Sequence, residues 1–203
     1  MIISLQLTAQ SKKFYIGLMG STDFYYPKFE SSYQINTIQR DLGFHYGVTI
    51  QYNISEKLSI KTGLNYSTFN YKVITSYFDP KYGFGGHEDS LSFRNWNIPI
   101  MLKYSLFSEG NFKITPSLGY VISFLKGNRS SFYVFSYSLD SNKDYKLTMH
   151  STQFNLGLEY LIKDKILITL EPYINWNFTE IDAILYKKNT ISFGEILSIN
   201  YKF

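Results

Sequence analysis

The chain contains no cysteine among its 203 residues. This absence excludes a disulfide framework, a thiol nucleophile and a zinc site built on thiolates. Long apolar runs are also missing, because no stretch approaches the roughly 18 consecutive apolar residues of a membrane-spanning helix. The formal net charge is only +4, and the basic residues are scattered along the chain. We therefore do not expect a nucleic-acid-binding surface.

Histidine is scarce, and the three histidines are His45, His87 and His150. A metal site at residues 86–89 would need ligands from several elements, and one loop segment rarely supplies them. A lipid-modifying enzyme would need a histidine and serine with an orienting acid, and only His150 and Ser151 with nearby loop residues suggest such a set. The sequence therefore predicts no enzyme, no metal and no cofactor, and a lipid-modifying enzyme remains the less favoured alternative.

Aromatic residues are abundant, with 19 Tyr and 17 Phe against 2 Trp. Their positions follow an alternation that is clearest from Asp41 to Ser67. Every even position from Leu42 to Tyr52 is apolar or aromatic, the odd positions are small or polar, and the same pattern resumes after a short turn. A period of two predicts a β-hairpin with one apolar and one polar face.

The same alternation recurs along the chain and predicts eight strands. Two of them form the hairpin within residues 41–67, and the others are expected at about residues 14–24, 93–105, 112–125, 150–161, 166–178 and 191–203. Long connections are expected at residues 25–40, 74–91, 126–149 and 179–190, and they alternate with short turns at 53–57, 107–111 and 162–165. This pattern is typical of an all-β protein, an eight-stranded antiparallel up-and-down transmembrane β-barrel with its short turns and both termini in the periplasm.

A soluble lipocalin-like barrel is the alternative architecture, and it would place the apolar face inside. The interior of a soluble barrel seldom contains lysine or glutamate, whereas one face of this chain carries both among its polar residues. The other face is almost continuously apolar and would aggregate if it met water. The membrane barrel is therefore favoured. Pro99, Pro116 and Pro172 fall within predicted strands, where we expect a bulge or one lost ladder hydrogen bond at each.

Four sets of residues are candidates for specific roles. An interfacial girdle is predicted at Tyr52, Tyr104, Tyr160 and Tyr201 near the short turns and at Trp96 and Trp176 on the opposite side, although these could be ordinary strand aromatics. A charge plug in the turn-side half of the lumen is predicted from Lys61, Lys103, Lys113, Glu159, Glu171 and Lys202. We expect Lys113 to pair with Glu159 and Lys61 with Glu171. The alternative is a charged path through a small-solute channel.

The third set is aromatic and lies in the long loops: Tyr77, Phe78, Tyr82, Phe84, Phe132, Tyr133, Phe135 and Tyr137. Tyrosine-rich loops offer a large contact area at low entropy cost, which favours binding of a partner protein, although the rings could instead pack on one another as a lid. Residues 1–10 are interpreted as the remnant of a secretory signal peptide or as a disordered N-terminus, and residues 11–203 as the barrel.

The fourth set is the chain's last aromatic pair, Tyr201 and Phe203, which looks like the C-terminal signal of outer-membrane barrels for the barrel assembly machinery. Together with the segments at residues 97–104, 114–120 and 156–160, it makes the chain similar to the PorT-like outer-membrane β-barrel family of Bacteroidetes. The resemblance covers the second to eighth predicted strands. It implies a location among outer-membrane lipids, no enzymatic activity and no catalytic residues to carry over. Some members of that family serve protein secretion.

Overall fold

A computed structural model of the chain describes residues 14–26, 36–40, 42–79, 83–133, 143–179 and 191–203. The first ten residues, and with them the proposed signal remnant, lie outside this part. None of the described segments contains a helix long and apolar enough to cross a membrane. The strands are β1 Phe14–Tyr26, β2 Asn36–Arg40, β3 Gly43–Asn53, β4 Leu58–Asp79, β5 Gly83–Tyr104, β6 Phe107–Glu109, β7 Phe112–Tyr133, β8 Lys143–Ile162, β9 Ile166–Asn177 and β10 Ile191–Lys202.

Two short strands are continuations of longer ones. β2 pairs with residues 71–75 of β4 and β3 pairs with residues 59–68 of the same strand, so β2 continues β3 along one side of β4. In the same way β6 continues β5 across a bulge at residues 104–106. The ten strands therefore form eight barrel strands. All pairings are antiparallel, and the β4–β5 pair closes the circle, which confirms the predicted fold.

The stagger of the barrel can be read from the pairing register. Phe14 of β1 pairs with Tyr52 of β3. Following the paired residues around the sheet returns to β1 at Phe24, ten residues beyond Phe14, by way of Ile60, Leu102, Leu118, Phe154, Ile174 and Phe193. A closed sheet with this stagger has strongly tilted strands, and eight strands leave an interior just wide enough for side chains.

The two faces of the barrel are inverted relative to a water-soluble protein. Apolar side chains point outward, and Leu18 is 70% exposed. The buried residues are mostly polar and come from the alternate positions, for example Thr49, Asn97 and Asn155. The hydrophobic surface therefore surrounds a polar filling, as the alternation predicted.

The barrel has two unlike ends. The turn end carries the connections β3–β4, β6–β7 and β8–β9, together with Phe14 and Phe203, and the loop end is opposite. The predicted turn at residues 107–111 is too long, because Phe107–Glu109 pairs with β7 and leaves only Gly110 and Asn111 to turn the chain. Gly110 adopts a left-handed φ of 56°, which favours glycine.

The predicted long loops at residues 74–91 and 126–149 are wrong in large part. β4 and β5 remain paired as far as Asp79 and Gly83, and β7 and β8 remain paired as far as Arg129 and Lys143. With β2, these strands form a five-stranded sheet that continues beyond the barrel at the loop end, in the order β2-β4-β5-β7-β8. Apolar alternation fades in these segments of the sequence, so the periodicity did not predict these paired strands.

Each strand proline lies where a ladder is interrupted, as expected from the sequence. The β4–β5 pairing skips residues 63–64 and 98–99, beside Pro99, and the β8–β9 pairing skips residues 156–157 and 171–172, beside Pro172. Pro116 lies opposite the bulge between β5 and β6. On its other side each proline keeps a normal register partner, so the barrel stays closed.

Candidate functional site

A network of buried charges crosses the turn-side half of the lumen. The Lys103 Nζ atom lies 2.5 Å from Glu159 Oε1, 3.0 Å from Glu171 Oε1 and 3.2 Å from Gln51 Oε1. The Lys61 Nζ atom lies 2.8 Å from the second oxygen of Glu171. These side chains come from β3, β4, β5, β8 and β9, so the network joins opposite walls of the barrel.

Neutral side chains complete the hydrogen bonding of the two carboxylates. Asn155 donates to Glu171 Oε2 at 3.2 Å, and Thr115 donates to Glu159 Oε1 at 3.0 Å. Gly157 leaves space for the Thr115 hydroxyl, since a Cβ at this position would lie 2.4 Å from Thr115 Oγ1. Buried ions stabilise a structure only when they are paired and hydrogen-bonded in this way.

The predicted plug residues divide into two groups. The expected pair of Lys61 and Glu171 is present. The expected pair of Lys113 and Glu159 is wrong: the two residues are register neighbours, but the Glu159 carboxylate binds Lys103 instead. Lys113 and Lys202 are half-buried at the turn end, where a long side chain can keep its ammonium group in water.

Two cavities lie on either side of the network. A cavity of about 80 Å³ on the loop side is lined by Lys61 and Glu171, and one of about 30 Å³ on the turn side is lined by Lys113 and Glu159. Because Lys103 binds a carboxylate from each cavity, it lies between them.

The loop-side cavity has a neutral wall that the sequence analysis did not identify as a site. It is lined by amides, thioethers and aromatic rings: Asn65, Asn95, Asn97, Gln153, Asn155, Asn175, Asn177, Met19, Met101, Met149, Phe69 and Tyr173. Asn97 donates to Asn65 at 2.8 Å and to Ser67 at 3.1 Å. The amide oxygens of Asn95 and Asn175 are buried and accept no hydrogen bond from the described protein. The feature of the sequence that corresponds to this wall is the set of asparagines on the polar faces of β4, β5, β8 and β9.

The loop end of this cavity is covered by aromatic rings. Phe69 and Phe93 are register neighbours on β4 and β5, and their buried rings stack with centroids 5.0 Å apart. The Phe93 ring lies directly on the backbone of Gly127, where an added Cβ would come within 2.6 Å of two ring atoms. This close approach explains why glycine stands opposite Phe93 in β7.

A second polar cluster surrounds Asp23 near the loop end. The fully buried Asp23 carboxylate accepts hydrogen bonds from Ser21, at 3.0 Å, and from the Tyr173 hydroxyl, and it pairs with His45 Nε2. Ser21 and His45 are register neighbours on β1 and β3. The alternation predicts His45 on a polar face, but it does not give Asp23 as its partner, because the register between β1 and β3 is not set by the alternation.

The predicted girdle residues all point away from the lumen. Trp96 and Trp176 lie toward the loop end, and the rings of Tyr66 and Trp96 are 5.1 Å apart. Tyr104, Tyr160 and Tyr201 are exposed near the turn end, and Tyr52 is half-exposed there. Tyr201 packs against Phe203, whose amide donates to Phe14 O at 2.9 Å and so ties the end of β10 to β1.

The predicted loop aromatics belong largely to the sheet extension. Tyr77 and Phe78 are in β4, Phe84 is in β5, and Phe132 and Tyr133 are in β7. Tyr82, Phe135 and Tyr137 lie outside the described residues. The register places Phe78 opposite Phe84.

The residues considered for catalysis are not brought together. The His150 ring stacks on Tyr120 and its Nδ1 atom is 2.7 Å from the tyrosine oxygen, whereas Ser151 is buried on the opposite, lumen-facing side of β8. Residues 86–89 lie within β5 rather than in a loop. Across the described ranges, no three histidine, aspartate or glutamate side chains come together in a way that could hold a metal ion.

The comparison with protein families decides the membrane in which this barrel lies. The family described as outer membrane protein beta-barrel domain matches residues 1–203. The chain belongs to this family. The inverted barrel is accordingly a transmembrane protein of the bacterial outer membrane, and its apolar surface faces lipid.

Solved structures of outer-membrane barrels share the fold at low sequence identity. Neisserial surface protein A is 13% identical with a TM-score of 0.52, and the alignment covers 94% of this chain and 97% of that one. OprG from Pseudomonas aeruginosa is 13% identical with a TM-score of 0.53, covering 95% and 96%. The Escherichia coli outer membrane protease OmpT is also similar, at 9% identity and a TM-score of 0.48, covering 96% and 98%. No curated protein matches the chain by sequence.

Proposed function

We propose that this outer-membrane barrel is a non-enzymatic structural or accessory component that binds a partner protein at its loop end. The observation that carries the proposal is the five-stranded sheet extension. A strand needs about 9 to 11 residues to cross the outer membrane. β4, β5 and β7 each have 22 residues and β8 has 20, so about half of each lies beyond what crossing requires.

The same proposal places the turn end and both termini in the periplasm and the sheet extension outside the cell. The extension then presents the aromatic segments of β4, β5 and β7 to other proteins. The resemblance to the PorT-like family supports a role associated with secretion. Tyr201 and Phe203 would serve earlier, as the signal for the barrel assembly machinery.

A variant pair tests the partner interface. Photo-crosslinking from the hairpin of β4 and β5 in native membranes should give one dominant protein adduct, and Tyr77→Ser with Phe78→Ser should abolish it. Tyr104→Ser with Phe107→Ser, a matched loss of two rings at the turn end, should leave the adduct unchanged. An adduct that survives the first variant contradicts the proposed interface.

A small-solute channel is the second candidate, and the Lys103 network argues against it. We expect the purified protein to show no sustained conductance in planar bilayers, because Lys103 holds the lumen closed between the two cavities. Lys103→Met should allow intermittent openings, whereas Lys113→Met removes the same charge outside the pairs and should leave the bilayer silent. Steady conductance of the unmodified protein would reject the closed barrel.

A further inference from the structure

A row of cationic residues runs across three neighbouring strands near the loop end. In the pairing register Arg94 of β5 is opposite Lys126 of β7, and Lys126 is opposite Lys146 of β8. The side chains of Arg94 and Lys126 are exposed, whereas Phe93 and Leu125, which precede them in the chain, are buried. Arg94 and Lys126 therefore lie together on the outer face of the barrel. Opposite residues of adjacent strands have Cβ atoms about 4.5–5.5 Å apart, so one anion can reach both side chains.

The row lacks a compensating charge within the described part of the chain. Neither Arg94 nor Lys126 forms an ion pair with another described residue. The closest acidic residue in the register, Asp144 of β8, is opposite Asn128 rather than opposite a cation. Like charges directly opposite each other in a sheet are destabilising. An anion that contacts both strands from outside would remove this repulsion.

The row lies beside the aromatic residues of the outer face. Trp96 and Phe124 are exposed register neighbours, two residues from Arg94 and Lys126 along their strands, and Trp96 packs against Tyr66. Aromatic rings of outer-membrane barrels lie at the boundary between acyl chains and headgroups. Two strand residues span at most about 7 Å, and the headgroup layer is roughly 5–8 Å thick on each side of the membrane. The spacing therefore matches the depth of lipid headgroups.

The chemistry of the row favours a doubly charged phosphate. The planar guanidinium group of arginine binds phosphate through two N–H groups, and lysine adds a point charge. The phosphodiester of phosphatidylcholine is accompanied by its own ammonium group, whereas a phosphomonoester carries close to two negative charges near neutral pH. Three cations in register therefore favour a lipid whose headgroup ends in a phosphomonoester.

We propose that the outer face of β5, β7 and β8 is a binding site for a membrane lipid with a phosphomonoester headgroup. The phosphate lies between Arg94 and Lys126, with Lys146 at the next register position, and the acyl chains pass over Trp96 and Phe124. The site faces lipid. It depends neither on a partner protein at the sheet extension nor on which side of the membrane the loop end lies.

The two tryptophans of the chain allow a test in lipid vesicles. The full chain is reconstituted in brominated phosphatidylcholine, which quenches tryptophan fluorescence on contact, and unbrominated dioleoyl phosphatidate is added in increasing proportion. In a Trp176→Phe protein, Trp96 reports the site, and phosphatidate should displace the quencher on the order of tenfold more effectively than unbrominated phosphatidylcholine does. In a Trp96→Phe protein, Trp176 of β9 reports lipid away from the row and should show no such preference.

Variants of the Trp176→Phe protein locate the effect. Arg94→Gln with Lys126→Gln should remove the preference for phosphatidate. Lys57→Gln with Lys165→Gln is the matched control, because it removes two exposed cations at the turn end, and it should leave the preference unchanged. All four side chains are exposed, so these changes leave the interior of the barrel intact.

Three results would overturn the proposal. The first is an absence of preference at Trp96, or an equal preference in the Arg94 and Lys126 double variant. The second is an equal preference for phosphatidylglycerol, which would show that the row selects any negative lipid rather than a phosphomonoester. The third is loss of the preference in sodium phosphate but not in sodium chloride of equal ionic strength, which would show that the cations bind free phosphate instead of lipid.

Discussion

The two halves of the lumen solve the problem of a polar interior in different ways. The turn-side half closes with ions, since Lys103 joins Glu159 and Glu171 and shares the latter with Lys61. The loop-side half is lined mainly by amides, thioethers and aromatic rings, holds, among the described residues, a single buried carboxylate near the loop end in the pair of Asp23 with His45, and keeps a cavity of about 80 Å³. Buried charges must be paired and hydrogen-bonded, whereas neutral side chains can border an open space. The lumen is therefore crossed by ion pairs toward the turn end and keeps open space toward the loop end.

Removing Lys103 should have the largest effect on stability. Lys103→Met leaves two buried carboxylates with only Lys61 to compensate them, and breaking such a pair costs about 3–5 kcal/mol. Urea unfolding in lipid vesicles measures the loss. Lys113→Met, at the half-buried turn end, should change the free energy of unfolding by less than about 0.5 kcal/mol. Equal losses for the two variants would show that the network does not stabilise this half.

A change beside the stacked rings of Phe69 and Phe93 in the loop-side half should have the second largest effect on stability. Gly127→Ala places a methyl group within 2.6 Å of the buried Phe93 ring, so the ring and its stack with Phe69 must shift. Overpacking of this kind costs about 1–3 kcal/mol. Gly20→Ala is the matched control, because the nearest atom to its Cβ is 4.0 Å away. Vesicle unfolding compares the two, and a Gly127→Ala protein as stable as Gly20→Ala would contradict the close packing.

Asn95 and Asn97 are buried two residues apart on β5, and they should separate unpaired from paired amides within the loop-side half. Asn97→Leu removes the donor to Asn65 and Ser67, and we expect a loss on the order of 1 kcal/mol. Asn95→Leu removes an oxygen that accepts nothing from the described protein, so its cost should be close to zero. The measurement is the unfolding free energy of both variants, and the reverse order would contradict the assignment.

The architecture of the barrel was predictable because lipid imposes a simple rule on the strands. Every spanning strand must alternate, and this alternation gave the eight strands and their inverted faces. The pair of Lys61 and Glu171 was also within reach, since both residues fall in the turn-side half. The partner of Glu159 was not, because Lys103 and Lys113 occupy the same polar face and only the stagger of ten residues decides which reaches across.

The sheet extension and the loop-side cavity could not be predicted for different reasons. If the sheet extension lies outside the membrane, as proposed, no lipid enforces alternation there, and the extended parts of β4 and β5 then resemble a loop containing Pro80 and several glycines. In the lumen, asparagines on a polar face are expected, and nothing in their order distinguishes Asn97, which is paired, from Asn95, which is not. That distinction is a property of side-chain packing across the closed barrel.

The smallest effect should come from an ion pair outside the lumen, which tests whether burial gives the turn-side charges their importance. On the sheet extension, Lys72 Nζ lies 2.9 Å from Glu88 Oε1, with the side chains 53% and 39% exposed. Water screens such a pair, so a double-mutant cycle of Lys72→Ala and Glu88→Ala should give about 0.2–1 kcal/mol, decreasing as salt is added. The same cycle on Lys103 and Glu171 should give a larger coupling that salt barely changes. If the exposed pair couples as strongly as the buried one, distance rather than burial sets the strength, and the contrast between the halves of the lumen loses its basis.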